Sequence, residues 1–159
     1  MQYWLMKSEP DVYSIDHLAA EPSQTDYWDG IRNYQVRNFM RDVMQVGDRA
    51  FFYHSNCKVP GIAGTMSIVR SAYPDHTAFI DTEKYYDPKS DPNNPRWLMV
   101  DVKLESKFPR FIALSELRRQ EALADMLVLR RGNRLSVTPV TENEWNHICL
   151  LYTSDAADE

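Results

Sequence analysis

The sequence predicts an α+β domain, a curved mixed sheet or small open barrel with short helices packed at its ends. Three observations carry that expectation. Apolar or alternating segments of strand length recur at residues 3–6, 49–54, 62–73 and 97–105. Short helical patterns fall between them irregularly, without the βαβ period of a parallel sheet. The chain has 159 residues, 43% hydrophobic and 26% charged, which suits one domain with a core of its own.

The elements follow in order. Tyr3-Trp4-Leu5-Met6 reads as a strand that Pro10 closes. Ser14 caps a short helix over residues 15–20. Residues 22–30 collect Pro, Ser, Thr, Asp and Gly and read as a loop. Val36, Phe39, Met40 and Val43 make one apolar helical stripe, with Arg37 and Arg41 on a solvated ridge beside it. Residues 49–54 form a second strand. Residues 62–73 form a third, where Gly64 marks a bulge or a close backbone approach. After a turn at residues 74–76, Ala78-Phe79-Ile80 reads as a short strand. Residues 87–95 make a polar loop with three prolines, long enough to suggest a role. Val100, Val102 and Leu104 alternate with Asp101, Lys103 and Glu105 in a strand that Pro109 ends. A short helix over 114–120, a strand over 135–137 bounded by Pro139, and a helix over 142–151 opened by the Thr141/Glu144 capping box complete the series. Residues 152–159, small and acidic, are expected to pack loosely.

Composition narrows the function classes. The formal charge is −5, and three of the acids lie in the last eight residues. That balance argues against coating nucleic acid by bulk electrostatics, although a local basic groove remains open. No apolar run is long enough for a membrane helix, and the first residues lack a signal-peptide pattern. Two cysteines suggest reduced thiols and a cytoplasmic, or in a eukaryote nuclear, protein. No four-ligand zinc spacing, Gly-x-Ser-x-Gly elbow or phosphate-binding glycine loop is present, so no cofactor or metal is expected.

Trp28-Asp29-Gly30-Ile31-Arg32-Asn33 is the most informative stretch. Gly30 permits an unusual turn, and Asn33 stands at a helix cap. Arg32 adds charge to the helix N-terminus beside the Trp28 indole. The pattern fits an anion or carbonyl site, and it equally fits a capped helix with Trp28 in the core. Polar groups end several strands: Lys7, Ser8 and Glu9; His54, Ser55 and Asn56; Arg134 and Ser136. In a small barrel such ends converge on one mouth. There, Ser, Asn and Glu could read a base edge while Trp and Tyr stack on its face. Lys84-Tyr85-Tyr86-Asp87 reads as a lid or an ordinary strand end, and Arg130-Arg131 with Arg134 as a local basic patch.

Six segments resemble the EVE domain in order: residues 3–10, 28–35, 51–55, 85–90, 96–97 and 133–140, the match spanning roughly residues 2–151. The resemblance implies a domain over 1–151 with a PUA-like fold: a curved mixed sheet, or small open barrel, with short helices around it. The family is similar to YTH domains, which hold a methylated base in an aromatic cage. By that analogy a pocket would use Trp4, Ser8, Glu9, Trp28, Asn33, Tyr53, His54 and Ser55. With the strand-end and motif residues Lys7, Gly30, Arg32, Tyr85, Trp97, Arg134 and Ser136, these make the expected ligand site. The implied function is non-catalytic recognition of a modified nucleobase in DNA or RNA, or binding of a free nucleobase-like ligand. The alternatives are a small-molecule enzyme using Glu9 and His54 as acid and base, and an interaction scaffold with a vestigial pocket. The residue from Tyr152 onward departs from the family pattern.

Overall fold

The computed structural model describes residues 1–158, with side chains through residue 153. Its six strands are β1 (Tyr3–Ser8), β2 (Thr25–Trp28), β3 (Arg49–His54), β4 (Gly61–Pro74), β5 (Leu98–Ala113) and β6 (Val137–Val140). They form one open sheet in the order β2-β5-β4-β3-β1-β6. The β1–β3 pair is parallel and the other pairs are antiparallel. Four α-helices are described: α1 (Ile15–Ala20), α2 (Tyr34–Asp42), α3 (Leu114–Arg118) and α4 (Glu142–Asp158).

The apolar runs have a simple cause: the central strands are covered on both faces. Trp4, Met6, Ala50 and Phe52 join a cluster with Ile15 and Leu18 of α1 and Val36 and Met40 of α2. Leu5, Phe51 and Tyr53, alternating with them, join Leu117 of α3 and Trp145 and Ile148 of α4. Gly64 fills both roles expected of it. The β3–β4 and β4–β5 registers shift beside it, and a Cβ there would lie 2.1 Å from the Ser106 carbonyl oxygen.

Four elements depart from the sequence reading. Residues 25–28 form strand β2 rather than loop, because β5 supplies a full antiparallel partner from Lys103 to Val100. His76–Phe79 is a 3₁₀ helix, not a strand. The Asp75 carboxylate captures the Thr77 N–H at 2.8 Å and its hydroxyl at 2.5 Å, which winds the chain. β5 continues through Pro109, which lies where the β4–β5 pairing skips between the Gly64 and Ile62 pairs, so no ladder donor is lost. β6 includes Pro139, tolerated because β6 is an edge strand paired only with β1.

Helix α4 also runs past Leu151. Tyr152 stacks on Phe108 with centroids 4.1 Å apart. The packing expected of residues 154–159 lies outside the described side chains.

Candidate functional site

The strand order puts β2 and β6 at opposite edges of the sheet, yet β2 and the segment leading into β6 line one cleft of about 610 Å³. The sheet therefore curls until β2 approaches the end of β1 and the segment leading into β6, and the cleft is the gap between them. One wall carries Asp26, Tyr27 and Trp28 of β2, with Asp29 after it. The other carries Arg134 and Ser136 leading into β6, with Lys7, Ser8 and Glu9 at the end of β1. Val12, Tyr13 and Ser55 also line it, as do Glu83, Lys84 and Tyr85 of a strap between β4 and β5.

Trp28 is 7% exposed. Its ring packs edge-on against Phe52, 5.3 Å between centroids, which fixes the indole while leaving part of it in the cleft. Tyr85 is held from behind. The Arg32 guanidinium donates to the Tyr85 carbonyl through Nε at 2.9 Å and Nη2 at 2.5 Å. Its Nη1 donates to buried Asp75 at 3.0 Å, and the Gly30 N–H donates to the same carboxylate oxygen at 3.0 Å. Gly30 has φ +82°, and a Cβ there would meet the Tyr85 ring at 2.6 Å. Glycine is thus required twice, for the backbone and for the ring lying on it.

Hydrogen bonds fix the polar lining. Ser8 Oγ donates to the Tyr13 carbonyl at 2.6 Å, and the Tyr13 hydroxyl donates to Asp26 at 2.7 Å. The Ser55 N–H donates to the Ser8 carbonyl, and the Lys7 N–H to the Ser136 carbonyl. Burial lowers the Lys7 ammonium from its ordinary value, and Lys7 makes no ion pair among the described residues. Burial, then the neighbouring Asp75 charge, raises the Asp29 carboxyl. Burial also pushes Asp75 up, but hydrogen bonds from Thr77, Gly30 and Arg32 outweigh it and hold Asp75 below the usual range. The cleft thus offers a half-buried cation, a carboxyl with a strengthened hold on its proton, three serines and two fixed rings.

Of the expected site residues, Lys7, Ser8, Glu9, Trp28, Ser55, Tyr85, Arg134 and Ser136 line the cleft. Gly30 and Arg32 stand behind it. Arg32 forms no anion site at the α2 terminus, because its donors are taken by Tyr85, Asp75 and the Ile31 carbonyl. The other five are placed elsewhere. Trp4, 1% exposed, donates its indole N–H to buried Asp48 at 3.1 Å. Tyr53 lies in the cluster on the opposite sheet face from Trp4, so the alternation of adjacent strands keeps the two apart. Asn33 caps α2, its Oδ1 accepting from the Val36 N–H at 3.0 Å. His54 Nε2 accepts from the Ile15 N–H at 3.2 Å at the start of α1 and is not among the cleft residues, so the Glu9/His54 acid–base pair is not assembled there. Trp97 donates to Asp87 at 2.7 Å and stacks on Tyr34, anchoring the strap.

The sequence reading missed Val12, Tyr13, Asp26, Tyr27, Asp29 and Glu83 as a lining set, and Asp75 as the hub behind it; Lys84 fell in the segment read as a lid or a strand end. Asp29 sits inside the motif already singled out. Asp75 had one signal, its place as the cap of a Thr two residues on. Among the described residues, no group of three or more His, Cys, Asp or Glu could hold a metal, and no helix is long and apolar enough to cross a membrane.

Known proteins share this arrangement. Thymocyte nuclear protein 1 of Danio rerio is 48% identical over 169 residues, covering 96% of this chain and 72% of that protein. Its nuclear name lends the cytoplasmic expectation no support. The human THYN1 protein, solved in complex with 5-methylcytosine-containing DNA, superposes with a TM-score of 0.91 at 47% identity, covering 96% of this chain and 98% of that one. A Pseudomonas putida protein gives a TM-score of 0.89 at 48% identity over 94% of this chain and 99% of its own. The open mixed sheet is the PUA-like arrangement the resemblance implied. The EVE domain model matches residues 2–151, and with this fold and these relatives the chain belongs to the EVE domain family.

Proposed function

We propose that this protein is a non-catalytic module that binds DNA carrying a modified cytosine by taking the base into the gap between β2 and β6. The observation that carries the reading is the gap itself: edge strand β2 facing the end of β1 and the segment leading into β6, around two fixed aromatic rings and a rim of polar groups. Its volume of about 610 Å³ lies within the ~300–1,000 Å³ usual for small-ligand sites. A cytosine edge presents an amine donor and carbonyl and ring-nitrogen acceptors. Asp29, Lys7 and the serines supply groups of both kinds. Extruding a base costs a few kcal/mol, least where the base is loosely paired. Stacking on an aromatic ring returns ~1–3 kcal/mol per base, so two rings offset the cost. The 5-methylcytosine DNA bound by human THYN1 supports the choice of ligand.

The test is a titration with two duplexes differing only in one 5-methyl group. The methylated duplex is expected to bind more tightly. Equal affinity for both would remove the basis for modified-base recognition. Turnover of a free modified nucleoside, abolished in Glu9→Gln, would favour the enzyme alternative instead.

A further inference from the structure

From the place of Arg134 in the cleft lining, we infer that the turn carrying Arg130, Arg131 and Arg134 holds the phosphates flanking the base that occupies the cleft. The inference rests on the base-binding reading and adds to it the path of the nucleic-acid backbone. Between Asp125 and Glu142 the chain has three arginines and no acid, in a protein of net charge −5. The turn is built rather than loose. The Asn133 N–H donates to the Arg130 carbonyl at 3.2 Å, and Gly132 takes φ +82° at the position where a type II turn needs it. The Asn133 side chain donates to the Leu127 carbonyl at 3.1 Å and accepts from the Leu135 N–H at 3.0 Å. Three residues after Asn133, the Ser136 carbonyl accepts from the Lys7 N–H at 2.8 Å, which docks the turn on β1 beside the cleft.

All three arginines are exposed, and none makes a side-chain hydrogen bond or ion pair among the described residues. Arg134 reaches the cleft itself. Across the gap the lining is acidic on balance, with Asp26, Asp29 and Glu83 against Lys84 on the β2 and strap side. Glu9 is the acid on the arginine side, and the Asn56 amide donates to it at 3.2 Å. A polyanion whose base enters this gap is repelled by one wall and met by free guanidinium groups at the other. Arginine suits that duty, since its planar fork matches phosphate oxygens.

The experiment measures affinity for methylated and unmethylated duplexes across a salt series. It compares wild type, Arg130→Ala/Arg131→Ala, and a control, Arg41→Ala/Lys107→Ala, that removes equal charge from elsewhere on the surface. Each lost phosphate contact lowers the log–log salt slope by about one. The turn variant should therefore lose affinity equally for both duplexes, with a slope smaller by about two. From 50 to 200 mM salt its affinity should fall roughly tenfold less than that of wild type. The preference for the methylated duplex and the control's slope should match wild type. Wild-type slope and affinity in the turn variant, with the preference intact, would overturn the inference and leave the base-binding reading standing. A reduced slope with no preference in wild type would overturn that reading and leave the turn as a phosphate-binding surface. Failure of wild type to bind either duplex would overturn both.

Discussion

Gly30 and the ring lying on it are where single residues decide the site. Gly30→Ala places a side chain on a backbone of φ +82°, at about 1–2 kcal/mol for that conformation, and drives a Cβ into Tyr85. A lowered urea midpoint and a weaker preference for the methylated duplex are expected together. Arg32→Lys keeps the charge but loses the two-pronged grip on the Tyr85 carbonyl. It should weaken the preference while leaving most of the stability, as paired titration and denaturation curves would show. Trp4→Phe separates core from site. It removes a hydrogen bond to a buried carboxylate, about 1.5–3 kcal/mol of stability, and should leave the preference unchanged. At this scale the sequence was legible where a residue has few uses: glycine before a helix, asparagine at its cap, polar groups after a strand. Trp4, Tyr53 and Trp97 were not, because an aromatic ring serves a core and a pocket equally well, and only the face of the sheet decides.

Among the elements, α1 carries a pH dependence. Its first N–H is accepted by His54, and burial lowers the His54 imidazole below its ordinary 6.5. Asp16 opposes that shift and Lys107 adds to it. The unfolded chain therefore binds more protons than the folded one just below 6.5, and stability falls as the pH drops through that window. Urea midpoints from about pH 7.5 to about 5.5 should decline in wild type and decline less in His54→Gln, whose amide oxygen can still accept. A parallel decline in both would assign the dependence elsewhere. Strands and helices with strong periodicity, such as β1, β3 and α2, could be read directly from the chain. β2 could not, since four residues among turn formers gain strand character only from β5. Pro109 and Pro139 misled for a related reason. Whether a proline breaks a strand depends on whether the ladder needs an N–H donor at its position, and that depends on the partner strand.

The whole molecule is organised by an open edge. A sheet that closed would pair β2 with β6 and leave no cleft; a flat one would hold Trp28 far from Arg134. That curvature comes from bulges and close approaches distributed along β4 and β5. Gly64 signalled one of them, but the convergence of the two edges is a sum over the sheet that no local pattern contains. The polar strand ends, Trp28 and Tyr85 were visible in the sequence. Tyr13, Asp26, Tyr27 and Glu83 were not, because only the curl of the sheet brings them to the same cleft.

In the binding mode proposed for this protein, a base leaves its stack and enters the gap against Tyr85 and Trp28. Its most direct measurement is the fluorescence of 2-aminopurine placed next to the methylated cytosine in a duplex. Extrusion of the neighbour unstacks the reporter, so its emission should rise on adding wild-type protein and rise little with Tyr85→Ala. Emission unchanged under saturating wild-type protein would show the base still stacked and rule out its entry into the gap.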